Sequence, residues 1–304
     1  MTANGIAPER AQRLMRLATY ASVSVAGVLI AIKIASWLMT ESVSLLSTLV
    51  DSLLDAMASM FNLVAVHHAL QPADREHRFG HGKAEPLAGL AQAAFIGGSA
   101  AFLLFQAVER MVHPRPIANV EIGVGAMVVS IVLTFALVMF QRYVVKKTGS
   151  VAVGADQLHY QGDLLTNASV IVSLILASRF GIGLADPLFA IAIAVYIVWS
   201  ARGIAIDSLN LLMDRELPDE DRRKIRALCE AHPEVRGVHD LRTRSSGQQV
   251  FIQLHLELDG AMTLHDVHEV SEAVMHEIEA AFPNAEVIIH EDPEGVPEPR
   301  KTFQ

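Results

Sequence analysis

Six apolar runs dominate the chain up to residue 213, at about 17–39, 43–66, 86–111, 120–140, 153–178 and 187–213. Each is roughly 20 residues or longer, the length a helix needs to cross about 30 Å of hydrocarbon. Six crossings put both chain ends on one side. After residue 214 the rhythm changes. Leu217-Pro218-Asp219-Glu220, an acidic first turn behind a proline, starts a helix that reaches about residue 231. Residues 235–243 and 249–258 alternate like strands, joined at Ser245-Ser246-Gly247. An amphipathic helix over 263–281, capped near Thr263 or Asp266, and a short strand at 286–290 follow. The pattern predicts an α-helical membrane protein with six transmembrane helices plus a small α+β domain of order αββαβ, with its helices on one face of the sheet. The expected boundaries are 1–214, 215–293 and a disordered tail at 294–304.

Composition agrees with a membrane protein. Hydrophobic residues make up 52% of the 304 and charged residues 19%, against roughly 25% charge in a soluble chain. Residues 1–16 are polar and basic, unlike a cleavable signal. The single cysteine, Cys229, excludes a disulfide framework and a thiolate zinc cluster. Residues 1–214 hold 14 basic and 14 acidic side chains, and residues 215–304 hold 10 and 19. The whole net charge of −9 therefore lies in the last 90 residues, with 7 of the 13 histidines. An acidic, histidine-rich domain excludes nucleic acid as a partner and suits cations. No glycine-rich phosphate loop is present, which excludes a nucleotide-driven pump.

Loop charge gives the orientation. Arg10, Arg13, Arg16, Arg75, Arg78, Lys83, Arg142, Lys146 and Lys147 fall on one side, and Arg110, Arg115 and Arg179 on the other. The richer side is cytoplasmic, so both termini are expected in the cytoplasm.

Charge within the apolar runs is where chemistry enters. Asp51 and Asp55 lie eight and twelve residues into the second run, about 12–18 Å deep. An isolated carboxylate there costs on the order of 2.5–3.5 kcal/mol. A spacing of four puts both on one helix face. His159 and Asp163 repeat that spacing in the fifth run. Two such pairs supply three carboxylates and one imidazole, a set that suits a small divalent metal. The plainer reading pairs the acids with Lys33 or with Ser47, Ser52 and Thr166, but two matched pairs are costly to bury for structure alone. Lys33 and Arg202 are read as snorkelling residues without a role.

Two further sets carry ligand chemistry. The loop Asp74-Arg75-Glu76-His77-Arg78-Phe79-Gly80-His81-Gly82-Lys83-Ala84-Glu85 offers Asp74, His77 and His81, although a charged loop is ordinary. His67 and His68 read as interface residues, and His113 as a surface one. In the last domain His239, His255, His268, His290 and Asp292 are candidates. His290 and Asp292, two apart in a strand, point the same way. Singly each histidine is more plainly a surface residue; jointly they make a cluster at the edges of one sheet. His232, His265 and His276 read as solvated.

The Ser47-to-Asp55 stretch, Phe79-Gly80-His81-Gly82-Lys83-Ala84-Glu85, His159-Tyr160-Gln161-Gly162-Asp163 and His290-Glu291-Asp292 resemble the cation diffusion facilitator family, in its bacterial zinc and ferrous-iron efflux branch. The resemblance covers about residues 10–293. It implies a homodimeric metal/proton antiporter with a metallochaperone-like cytoplasmic domain. A membrane transport site carries over onto Asp51, Asp55, His159 and Asp163, and a loop site onto Asp74, His77 and His81. A binuclear cytoplasmic site carries over onto His239, His255, His268, His290 and Asp292, holding zinc or another divalent ion as a structural ion. Some relatives have glutamine where Glu291 stands. His159 in place of an aspartate points to zinc rather than manganese.

The expected activity is efflux of a divalent cation, zinc foremost with iron or cadmium open, driven by inward proton flow. Imidazole and carboxylate bind metal only when deprotonated, so a site that faces the two sides in turn exchanges a cation for protons. A membrane-anchored metalloenzyme and a metal sensor are the alternatives; no His-Glu-x-x-His pattern supports the first. Small residues at Gly89, Ala93, Gly97 and Ala101 form a stripe on the third run, expected near the dimer axis. Lys83 and Asp214 are expected to form a charge pair that holds the two halves together.

Overall fold

The structure, a computed structural model, describes residues 6–40, 43–112, 121–180, 182 and 184–296. His113 and Arg115, the side chains of Ser47 and Arg110, and residues 297–304 of the expected tail lie outside them. The chain divides into two compact units, residues 10–209 and a second that includes everything from Asn210 onward.

The first unit is built from α1 (Pro8–Thr40), α2 (Val43–Ala69), α3 (Ala84–Val112), α4 (Glu121–Thr148), α5 (Val151–Phe180) and α6 (Ala185–Leu212). Among the described residues, five stretches are long and apolar enough to cross a membrane: Pro8–Leu38, Leu49–Ala69, Ala84–Glu109, Val128–Thr148 and Ala185–Leu212. Helix α5 spans 30 residues yet is not among them. Its Asp156, Gln157, His159, Gln161 and Asp163 lower its hydropathy over two turns. It packs against α2, α3 and α4, and its Asp156 and His159 are buried there, where such groups in a membrane belong.

The start of α5 is fixed from two directions. Gly149, at φ 66°, ends α4 with its N–H on the Val145 carbonyl at 2.8 Å. The Ser150 hydroxyl accepts from the Val153 N–H at 3.2 Å, as an N-cap does. The Glu85 carboxylate, 3% exposed, accepts from the Val151 N–H at 3.0 Å. A carboxylate from the first turn of α3 thus caps the positive end of α5.

The small-residue stripe behaves differently along its length. A Cβ on Gly89 would meet Ser208 Oγ at 2.7 Å and Val151 Cγ1 at 2.9 Å. That end packs α3 onto α5 and α6 inside one protomer, contrary to the expectation of a subunit contact. A Cβ on Gly97 would meet no atom of another element within 4 Å among the described residues, and Ala101 is exposed.

The second unit follows the predicted order: α7 (Asp219–Glu230), β1 (Gly237–Ser246), β2 (Gln249–Leu258), α8 (Leu264–Ala281) and β3 (Ala285–Pro293). The sheet runs β1-β2-β3, antiparallel between β1 and β2 and parallel between β2 and β3. Both outer strands are longer than the alternation indicated. Helix α8 opens with a capping box, the Thr263 hydroxyl accepting from the Asp266 N–H at 3.3 Å. The core joins Ile225, Cys229, Ile252, Leu254, Leu256, Val274 and Ile278. Burial pushes the Cys229 thiol up to about 11, leaving it an inert core group.

One irregularity in β1 matters for chemistry. Thr243 pairs with Ile252 and Leu241 is buried, so unbroken alternation would turn residue 239 into the core. The register shifts between His239 and Arg242, and Asp240 sits at φ 48°. This bulge adds one residue and sets His239 opposite His255, on the face away from the core.

Candidate metal sites

In the helical unit the structure gathers Asp55, His159 and Asp163, whose ligand atoms lie within 4.8 Å of one another. His159 Nε2 is 3.1 Å from Asp55 Oδ1 and 3.8 Å from Asp163 Oδ2. That nitrogen is buried and makes no directional hydrogen bond. It sits between two carboxylates as a ligand sits around a common centre. Phe95 and Tyr160 hold the imidazole edge-on, with centroids at 5.8 and 5.4 Å. Asp51 lies one turn earlier on α2, exposed and outside the group.

Behind this cluster lies a buried polar web. Asp156, 1% exposed, accepts from Gln141 Nε2 at 2.6 Å and meets Ser59 Oγ at 3.5 Å. Ser59 Oγ also meets Tyr160 Oη at 2.8 Å and accepts from Ser22 Oγ at 3.0 Å. Side chains of α1, α2, α4 and α5 are tied together within a turn of Asp55 and His159, which fixes the depth at which the two ligand pairs meet.

The loop before α3 folds on Asp74. Its Oδ1 accepts from the backbone N–H groups of His77 at 2.6 Å and Glu76 at 2.9 Å. The first of these bonds foremost holds the Asp74 carboxyl below its ordinary value. His77 Nδ1 lies 3.3 Å from Asp74 Oδ1, and His81 Nε2 lies 3.4 Å from Oδ2. His81 is buried, its Nδ1 lacks a hydrogen-bond partner, and the His68 ring packs edge-on against it at 4.6 Å.

In the second unit three imidazoles surround one carboxylate. Asp292, 6% exposed, has Oδ2 2.8 Å from His255 Nδ1 and 3.2 Å from His239 Nε2. Its Oδ1 lies 3.2 Å from His290 Nε2. The cross-strand partners His239↔His255 and His255↔His290 line the rings up along one row. His239 Nδ1 lies 3.0 Å from Glu257 Oε1 but makes no directional hydrogen bond with it. Borderline nitrogen donors and one anionic oxygen fit a zinc-like ion.

Residues 19–213 match the cation efflux transmembrane domain, and residues 217–294 the cytoplasmic domain of cation efflux proteins. The chain belongs to the cation efflux family. The cation-efflux pump FieF of Shewanella oneidensis is 48% identical over 279 residues, 92% of this chain and 94% of the relative. FieF of Klebsiella pneumoniae is 48% identical over 284 residues, 93% of this chain and 94% of that one. The metal-bound C-terminal domain of the CzcD transporter from Thermotoga maritima aligns with a TM-score of 0.25 and 32% identity, covering 26% of this chain and 93% of that domain.

As a cation efflux protein the chain is a membrane transporter, not an enzyme, and a metal cation is its substrate. The helix α5 lies inside the matched transmembrane domain. Several site residues depart from the sequence expectation. His268 is exposed on α8, apart from the cluster the other cytoplasmic candidates form, because its turn of α8 faces solvent. His290 stays at the rim, its side chain 62% exposed, while Asp292 beside it is covered. Asp214, at φ 56°, lies 3.4 Å from Arg244 Nη1. Sequence reasoning missed Glu257, although its spacing of two from His255 in a strand puts both on one face. It passed over Asp156, one turn before His159, and read His68, the residue before the last of α2, as an interface residue only. It also gave Lys33 no part.

Proposed function

We propose that this transporter exports a divalent transition cation, zinc foremost with ferrous iron next, from the bacterial cytoplasm in exchange for protons. It works as a homodimer in the inner membrane, with both termini and the 215–293 domain in the cytoplasm. The observation that carries this reading is the facing of Asp55 on α2 with His159 and Asp163 on α5. Two helices that each offer ligands one turn apart hold an ion between them, and a small shift of one helix against the other opens the set. Asp51, one turn along, completes four ligands as the helices move. Because each ligand binds metal only when deprotonated, proton entry from outside expels the ion. The relatives named as cation-efflux pumps support the direction of transport.

In this reading the loop residues Asp74, His77 and His81 form a second binding point. His239, His255, His290 and Asp292 hold a resident ion that supports dimerisation, with His268 a ligand only where a partner completes the site. Lys83 and Asp214 serve as the charge pair that couples the two halves of the dimer. Reconstitution into vesicles with a pH gradient tests the proposal. Zinc flux should follow the proton gradient in wild type and fall at least about 100-fold in D55A and H159A, with insertion unchanged. A ligand removed from a four-ligand set takes a large share of the binding free energy, while the loss of buried charge does not hurt folding. Wild-type flux in either variant rejects the site.

A further inference from the structure

Lys33 on α1 donates to the Ser52 hydroxyl, between Asp51 and Asp55 on α2. Ser52 is 4% exposed and lies nine residues into α2, about 13 Å from that helix end. A snorkelling lysine would carry its ammonium toward the membrane surface; this one carries it inward, to the level of the transport carboxylates. Asp51 and Asp55 flank Ser52 on α2, and Asp163 on α5 lies in one group with Asp55.

We infer that Lys33 is the tethered counter-cation of the transport site, drawn onto the carboxylates when the ion leaves and driven back when the ion enters. The inference rests on the membrane cluster being the transport site. Asp51, Asp55 and Asp163 bring three negative charges, and Lys33 with one divalent ion brings three positive. The loaded site is then neutral around a neutral imidazole. Without Lys33 the same carboxylates face a dication with an uncompensated charge and hold it too tightly. Transport needs binding strong enough to load and weak enough to release. A charged ammonium has three donors and no acceptor, so it competes with the metal and does not ligate it. Ser52 holds the ammonium between the turns that carry Asp51 and Asp55.

The test uses the full-length protein in vesicles, with zinc flux measured over a concentration series. In K33Q, KM and kcat should both fall, each by about tenfold or more, as tighter binding slows release. K33R, which keeps the charge, should stay within a few-fold of wild type. Unchanged constants in K33Q, a fall in kcat with KM unchanged or raised, or a K33R that matches K33Q would each overturn the inference. D55A run alongside separates the two claims: if it keeps its flux, the transport-site reading fails first. A second measurement needs no variant. Wild-type vesicles are treated with a membrane-permeant acetylating reagent with and without zinc, and Lys33 modification is read by mass spectrometry. Zinc should raise it several-fold by displacing the ammonium from its carboxylates. Equal modification in both conditions overturns the inference even where K33Q fails to insert.

Discussion

The membrane cluster and the cytoplasmic cluster use the same two residue types in opposite proportions. The first sets one imidazole between two carboxylates on separate helices. The second sets three imidazoles around one carboxylate on adjacent strands. Strand ladders fix their ligands by backbone hydrogen bonds in register, whereas helices are held to each other by side chains alone and move against one another between packed arrangements. A carboxylate-rich set shared between two helices suits loading and release. An imidazole-rich set on a sheet suits retention. The proportions and the scaffold point the same way in each region.

The sharpest way to break that comparison is to remove the cytoplasmic carboxylate. D292A, made in the cytoplasmic domain, should lose metal stabilisation altogether. At a metal concentration near 100 times Kd the unmodified domain should gain about 2.7 kcal/mol in thermal or urea unfolding, and D292A should gain none. The same change in the full chain should leave measurable, reduced zinc flux if, as proposed, the transported ion is held by Asp55, His159 and Asp163. If D292A stops flux as completely as D55A does, the cytoplasmic ion is part of the transport cycle and the contrast fails.

Next in size is a change of ligand type in the membrane. H159D makes that set all oxygen, and oxygen ligands favour manganese over zinc. The ratio of manganese to zinc flux, taken in the same vesicles, should rise by about tenfold. A constant ratio would mean that the web around Asp156, Ser59 and Tyr160 sets selectivity by fixing ligand geometry.

What the sequence shows in advance follows periodicity. Apolar runs and strand alternation locate the helices and strands, and paired spacings of four and two locate Asp55, His159, Asp163, His290 and Asp292. What it hides depends on neighbours distant in the chain. Nothing local marks Glu85 as the cap of α5, since the two ends of that bond are 66 residues apart. The bulge that turns His239 to the outer face rests on Asp240 at positive φ, a conformation few non-glycine residues announce. Lys33 looks like a helix-end residue until Ser52 is found beside it.

A smaller effect is expected at Glu257. Its Oε1 lies 3.0 Å from His239 Nδ1, and Gly237 opposite it leaves room, since a Cβ there would meet Glu257 Oε2 at 2.8 Å. A carboxylate behind a ligand histidine orients the ring and raises its basicity, and its loss weakens metal binding by about tenfold or somewhat more. E257Q should weaken zinc binding to the cytoplasmic domain by about that factor in calorimetry, while H268A leaves a single domain unchanged. A large effect of H268A on the monomer would place that histidine in the site within one chain.

The smallest predicted effect separates the fold of the cytoplasmic domain from its metal. The Asp266 carboxylate accepts from the Thr263 hydroxyl at 2.7 Å and from the Thr263 N–H at 3.3 Å. These bonds, the hydroxyl first, hold its carboxyl below the ordinary value. A depressed carboxyl contributes stability that is complete above its unfolded value and is lost as pH falls through the folded one. Metal-free domain should therefore melt slightly higher than D266N at neutral pH, and the gap should begin to narrow below about pH 4, as pH falls toward the depressed folded value. Asp266 is exposed and lies on the turn of α8 that follows its cap, away from the strand residues of the cluster. Its loss should leave zinc affinity at the neutral-pH value of the unmodified domain. Melting curves of both proteins in chelator across pH 3 to 7, beside zinc titrations at pH 7, check this. A gap that does not narrow at all between pH 7 and pH 3 would show that the asparagine harms the helix start sterically; a changed zinc affinity would show that the α8 cap and the metal cluster act as one unit.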